Sequence, residues 1–258
     1  MAKFDVASYN ELPMIWDAHR LLSKQLGDDK PGRLDPLIEA LSPLFLASDE
    51  RFKFGICIMH RHFDLKDGER MVTVPEKDEK NPNIVAIVEP STGTSSNIVA
   101  ERWMFDGKEF EHAVVDDPAS ITPPSDKFFE EFRRICKSFG NGVKILGICA
   151  NNMPVIPQHD IFFLELLHPD PTKDRTQAIE KMGSGFKPTS TMRQSAWVPV
   201  AVRPFLENAG SDKFVMMKCV HNCQEHIGPS GVPAVAEISF KEEMAPVPVV
   251  GSRNANQL

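Results

Sequence analysis

This sequence has few tyrosines and few clusters of basic residues. The sequence contains one Tyr against 17 Phe, and its net charge is −7 at pH 7. Its longest basic group, Arg133 and Arg134 with Lys137, falls on a predicted helix and is typical of a solvated face. An acidic chain without a larger basic cluster is a poor nucleic-acid binder, so we expect no nucleic-acid partner.

Long apolar runs are also missing. No stretch approaches about 20 apolar residues, and the first residues, Met1 to Asp5, lack the apolar region of a secretory signal. The five cysteines are odd in number and lie mostly in apolar runs. This pattern is typical of free thiols or metal ligands and argues against a disulfide framework. We therefore expect a cytoplasmic protein with no membrane partner.

Hydrophobic periodicity predicts helices in the first 50 residues and strands after them. Ile15, His19, Leu22 and Leu26 form one apolar stripe at helical spacing, in which His19 is expected to be a hydrogen-bonded core residue. Asp35 followed by Pro36 predicts the start of a second helix. From residue 53 the period changes to two, which predicts strands at 53–63, 69–75, 83–89, 97–106 and 109–115.

The second half continues this pattern with one long helix inserted. Ser125 is a suitable N-cap for that helix, which Gly140 ends. A short helix is predicted at 174–182, and the predicted strands are 143–150, 161–167, 198–202, 214–223 and 235–240. The sequence thus predicts an α+β fold: N-terminal helices followed by a mostly antiparallel sheet. We expect one domain over residues 1–245, with 1–50 its helical part and 246–258 a flexible tail.

The strongest functional signal is a His-x-His pair at the end of the first predicted strand. Side chains alternate along an extended chain, so His60 and His62 point the same way, with Cα atoms about 6–7 Å apart. Phe54, Ile56 and Ile58 would share that face. Two neutral imidazoles beside an apolar surface can hold one metal ion, which predicts a divalent cofactor such as Zn or Fe.

Two resemblances concern this segment. A His-x-His strand followed across a turn by a Glu, here Glu69, is similar to the metal motif of cupins. The spacing to Glu69 is longer than in that motif, and its downstream glycine is absent. His62-Phe63-Asp64 also resembles the His-x-Asp of the facial triad in 2-oxoglutarate oxygenases. That family would need a distal His followed by an Arg, and the only Arg after His221 and His226 is Arg253.

A second cluster near the C-terminus offers further ligands. Cys219, His221 and Cys223 share one face if the strand from Phe214 persists, and His226 follows them. We expect His221 or His226 to complete the site with His60 and His62. Cys219 or Cys223 is a less favoured third ligand.

Open coordination positions would remain for water or substrate. Glu69, Glu225 or Glu111 could transfer protons. His112 is another possible ligand.

Two functions remain open from the sequence. The first is a metalloenzyme, whether hydrolase, lyase or oxygenase, that acts on a small organic molecule. The second is a non-enzymatic protein that binds a ligand or another protein, with core histidines and at most a structural zinc. The segment Met59 to Phe63 with Gly68, Glu69 and Arg70 resembles uncharacterised fungal proteins of similar length, which implies a fungal source and a role in specialised metabolism. The oligomeric state is not indicated.

Overall fold

A computed structural model describes residues 4–26, 34–47, 53–76, 82–151, 162–167, 175–182, 192–202 and 214–224. Four α-helices lie in this part of the chain: α1 (Val6–Asn10), α2 (Ile15–Gln25), α3 (Asp35–Ala47) and α4 (Asp126–Lys137). The Ser125 side chain accepts a hydrogen bond from the Phe128 backbone N–H, which confirms the predicted cap of α4. None of the described helices is long and apolar enough to cross a membrane.

In the described residues, ten strands make up one sheet. In chain order they are β1 (Phe54–Ile58), β2 (Arg70–Pro75), β3 (Ile84–Ser91), β4 (Ile98–Trp103), β5 (Glu109–Val114), β6 (Leu146–Ala150), β7 (Phe162–Leu167), β8 (Gln177–Met182), β9 (Met192–Val202) and β10 (Phe214–Gln224). Their spatial order is β1-β6-β4-β5-β2-β3-β8-β7-β10-β9.

The pairing of β9 with β1 closes this sheet into a barrel. Only β2–β5 and β7–β10 are parallel pairs among the described strands. The predicted α+β class with a mostly antiparallel sheet is confirmed, whereas closure of the sheet was not predicted.

Alternate residues of the strands belong to two separate hydrophobic clusters, which we call the outer and the inner cluster. The outer cluster joins strand residues such as Ile56, Ile58 and Trp197 to apolar residues of α2, α3 and α4. The inner cluster takes the intervening positions, including Cys57 and Ala196, and also includes Tyr9 of α1 and three residues outside helices and strands, Leu12, Met59 and Leu65. Since a strand turns successive side chains to opposite faces, the inner cluster fills the barrel and the outer cluster packs under the helices.

Several predicted elements differ from the structure. The strand predicted at 143–150 begins only at Leu146, after a 3-10 turn, and the strand predicted at 198–202 begins at Met192. β1 ends at Ile58 and does not reach residue 63, because the chain leaves the ring there: the Met59 N–H donates to the Ile145 carbonyl and the Arg61 N–H to the Pro13 carbonyl. The helix predicted at 174–182 is wrong, since Gln177–Met182 is strand β8 and pairs with β3 and β7. The predicted strand at 235–240 and the tail at 246–258 lie outside the described residues.

Candidate metal centre

Three side chains that can bind a metal ion meet at the barrel. They are His60, His62 and Glu165, and their ligand atoms all lie within 4.8 Å of one another. His60 and Glu165 are 0% exposed and His62 is 4% exposed. Two imidazoles and one carboxylate in a buried group match the donor set of 2-His-1-carboxylate metal centres. We call these residues the His-His-Glu group.

The two histidines follow β1 on a segment fixed by main-chain contacts. Arg61, between them, forms a bridge to Met14 at the start of α2. The Tyr9 hydroxyl accepts a hydrogen bond from the His62 N–H at 3.4 Å. The imidazole rings are 4.6 Å apart between centroids in an edge-to-face arrangement. The predicted meeting of the two imidazoles is confirmed, although they lie beyond the strand.

One hydrogen bond determines which nitrogen of His60 can bind a metal. The Nδ1 atom lies 2.8 Å from the Ile58 carbonyl oxygen. A carbonyl only accepts, so Nδ1 carries the proton and donates it. The proton-free Nε2 atom is then the one with a lone pair for an ion. A histidine held through its other nitrogen by a backbone carbonyl is the usual arrangement of a metal ligand.

The spacing of His62 and Glu165 also suits a shared ion. His62 Nε2 lies 3.5 Å from Glu165 Oε1. Two donors each about 2.1 Å from a tetrahedral ion lie about 3.4 Å apart. The pair therefore fits a common metal with little movement, and the three residues together could hold one ion.

Glu165 enters the group from β7, a strand that is otherwise apolar. Its neighbour two positions back, Phe163, packs against the inner cluster, and its partner on β8 is Ile179 of that cluster. Glu165 therefore points into the barrel. Burial raises the pKa of Glu165, while Arg102 opposes this rise. A cation bound there would stabilise the ionised carboxylate.

A buried ion pair lies close to the group. The Arg102 guanidinium is 2.9 Å from the Glu111 carboxylate, and Glu111 is 1% exposed. Although burial opposes it, the Glu111 and Glu165 carboxylates raise the pKa of Arg102 above its usual range, so the guanidinium stays charged. Burial raises the pKa of Glu111 to about 8; Arg102 lowers it, and the Glu165 charge adds to the rise. Glu111 is thus a buried carboxyl that can exchange a proton near neutral pH.

Glu69, predicted as a proton-transfer group, is bound instead by Arg175. Two Arg175 nitrogens donate to its carboxylate at 3.0 and 2.6 Å, and one also donates to the Asp64 carbonyl at 2.8 Å. The Arg175 hydrogen bonds lower the pKa of Glu69 to about 2. A carboxylate with so low a pKa is a weak base near neutral pH, and its contacts indicate a role in holding the segment after His62.

Other predicted residues lie elsewhere. The Asp64 carboxylate of the His-x-Asp resemblance pairs with Arg61 and is not one of the three grouped donors. His112 lies 3.3 Å from Glu109 and edge-on to the Phe4 ring. His19 lies 2.7 Å from the Gln194 carbonyl in the core, in agreement with its expected role.

The predicted ligands near the C-terminus are described only in their backbone. His221 pairs with Phe163 and Cys223 with Glu165, so β10 lies beside the strand that carries Glu165. Glu225 and His226 lie outside the described residues. The carboxylate supplied by β7 was missed in the sequence. Its signal was a single charged residue in the apolar run Phe162–Leu167, on the same face as Phe163.

Comparisons with known protein families, curated proteins and solved structures find no match to this chain.

Proposed function

We propose that this chain is a metal-dependent enzyme that acts on a small organic molecule, with a divalent Zn or Fe ion held by the His-His-Glu group. The observation that carries the proposal is the buried convergence of three ligand atoms within 4.8 Å. Three protein ligands leave coordination positions open for water or substrate, as catalytic sites require. A bound ion would supply Lewis acidity or, if redox-active, an oxygen-binding centre.

Glu111 is our candidate for the proton-transfer group. It is buried, its pKa is raised to about 8, and the charge of Glu165 acts on it. General acid–base groups work best when their pKa lies near the working pH. Arg102 fixes the Glu111 carboxylate by the 2.9 Å ion pair and so positions it. A bound divalent ion would lower the pKa of Glu111 from about 8 toward neutrality.

Metal uptake by tag-free protein tests the proposal. We expect about one equivalent of metal in the wild type, measured by elemental analysis after titration with Zn²⁺ or Co²⁺, with Co²⁺ absorption reporting the coordination number. His60→Gln, His62→Gln and Glu165→Gln should each weaken binding beyond the roughly 10–100-fold loss typical of outer-shell changes. His19→Gln, which alters a buried imidazole outside the group, should leave the metal affinity unchanged.

Three outcomes would overturn the proposal. Folded wild-type protein that takes up neither Zn²⁺ nor Co²⁺ would favour a non-enzymatic binding protein with core histidines. Equal losses in the His19→Gln control would show that binding is not local to the group. Metal lost only in Cys219→Ser or Cys223→Ser, together with unfolding, would indicate a structural zinc.

A further inference from the structure

The barrel has a cavity of about 800 Å³ whose lining includes Ile179, the partner of Glu165 on β8, but none of the three residues of the His-His-Glu group. Its volume lies within the range of small-molecule binding sites. Most of the surface is apolar. β3, β7, β8 and β9 contribute Val85, Ala86, Phe163, Ile179, Ala196 and Val198, and further apolar residues come from β5 and β6. Phe163 precedes Glu165 by two positions on β7. The apolar body of a ligand in this cavity would therefore lie against the strand that supplies the carboxylate of the group.

An irregularity in β4 directs two charged side chains into this cavity. Ala100 pairs with His112 and Arg102 with Glu111, so Glu101 has no opposing residue on β5. This extra residue is a β-bulge, and both Glu101 and Arg102 line the cavity as a result. Bulges often re-aim side chains beside active sites.

The charges that line the cavity are not balanced. Glu101, Asp116 and Asp117 contribute three carboxyls, and among the described lining residues Arg102 is the only cation. Arg102 is already bound to Glu111 at 2.9 Å. The Glu101 carboxylate accepts a hydrogen bond from the Thr73 hydroxyl at 2.5 Å. Burial raises the pKa of Glu101 and Arg102 lowers it, but Arg102 divides its charge among Glu101, Glu111 and Glu165. A carboxylate away from bulk water is costly unless a cation pairs with it.

We propose that this cavity binds a small molecule with an apolar body and a protonated amine, and that Glu101 recognises the amine. As a statement about substrate, this rests on the proposed metal enzyme, because Phe163 of the cavity lining and Glu165 of the His-His-Glu group lie two positions apart on β7. The apolar lining would cover the hydrocarbon part, and the ammonium would form a charge-assisted hydrogen bond to Glu101. Because Arg102 already forms an ion pair with Glu111, the ammonium would add a second cation beside Glu101.

Calorimetry with three probes of one shape tests this assignment. The probes are 2-phenylethylamine, neutral 2-phenylethanol and anionic 3-phenylpropionate, titrated into metal-free and Zn²⁺-loaded protein. We expect the amine to bind about tenfold or more tightly than the alcohol, and the carboxylate most weakly. Glu101→Gln, which keeps the side-chain shape, should remove the preference for the amine. Glu130→Gln, the same change on the exposed face of α4, should not.

The two proposals can fail separately. Amine binding without metal uptake would overturn the metal enzyme and leave an amine-binding protein. Metal uptake with no amine preference, or an unchanged preference in Glu101→Gln, would overturn this inference alone. Tighter binding of 3-phenylpropionate would indicate that Arg102 governs recognition and would also overturn it. Ala86→Phe narrows the cavity without changing charge, and equal affinity in that variant would show that the amine binds elsewhere.

Discussion

Two buried histidines of this chain, His60 and His19, use different ring nitrogens for a hydrogen bond to a backbone carbonyl. His60 donates from Nδ1 to a carbonyl and keeps Nε2 beside His62 and Glu165. His19 uses Nε2 for the Gln194 carbonyl at 2.7 Å, and its buried Nδ1 has no hydrogen-bond partner among the described residues. Of the two, it is His60 whose second ring nitrogen lies next to other ligand atoms. The sequence separated the two correctly, because one lies in a helical stripe and the other in a His-x-His pair.

His19 should make the protein sensitive to acid. Burial lowers the pKa of His19 to about 4, against an ordinary value of about 6.5 in the unfolded chain. The unfolded state therefore binds the proton first, and the free energy of unfolding should fall as pH decreases from about 6.5 to about 4. The total loss is about 3 kcal/mol. Urea unfolding across this range should show a shallower pH dependence in His19→Gln, whereas parallel curves would contradict the assignment.

The segment from Phe63 to Glu69 is held by Arg175, which lies two residues before β8. Arg175 binds Glu69 through two nitrogens, reaches the Asp64 carbonyl, and stacks over Phe63 at 5.2 Å from its ring centroid. Arg175 adopts a φ of 60°, an uncommon conformation for a residue other than glycine. Because this segment begins directly after His62, we infer that Arg175 positions the second imidazole.

Replacing Arg175 with Lys should therefore weaken metal binding. Lysine keeps the charge but loses the two-nitrogen contact, so His62 should be held less firmly and metal affinity should fall about 10–100-fold. The matched control is Arg134→Lys, since Arg134 makes a two-nitrogen contact to Glu131 at 2.8 and 2.6 Å on exposed α4. That control should change neither affinity nor stability measurably. Equal metal affinities in wild type and Arg175→Lys would rule out the positioning role.

Local sequence patterns were informative for elements whose signals are local. Ser125 and the apolar side of α4 predicted that helix, and the change to period two at residue 53 predicted β1 to β5. β8 was mistaken for a helix because its sequence shows no clear hydrophobic period. It has only six residues, three of them polar, and the residues on either side have no clear period either. Its strand state is set by β3 and β7 on either side, which is tertiary information.

At the scale of the whole molecule, closure depends on a short seam between β1 and β9. Only two residue pairs join these strands, Ile56 with Trp197 and Cys57 with Ala196. Gly55 lies at this seam, where an added Cβ would stand 2.5 Å from the Trp197 carbonyl oxygen and 2.6 Å from a methyl of Val198. Glycine is therefore needed for the close approach of the two strands. No sequence period could reveal a contact between segments so far apart, nor the meeting of His62 with Glu165.

Gly55→Ala should thus destabilise the barrel. The methyl group would meet backbone, which cannot move aside cheaply, so we expect a loss of about 1–3 kcal/mol in the free energy of unfolding. Gly93→Ala is the control, because its added Cβ would meet only side-chain atoms, the Ser91 hydroxyl at 3.2 Å and Ile98 Cδ1 at 3.7 Å, in an exposed loop. Urea unfolding measures both variants. A Gly55→Ala protein as stable as its control would show that the seam tolerates the methyl group.

Closure of the barrel also affects when the His-His-Glu group forms during folding. The segment with His60 and His62 follows β1, whereas Glu165 belongs to β7, which reaches β1 only through β10 and β9 on one side. Contacts between distant segments form slowly, because long loops must be ordered before these contacts can stabilise them. The His-His-Glu group would thus be incomplete in a partly folded chain. An ion taken up by this protein would report the completion of folding, and would not nucleate it.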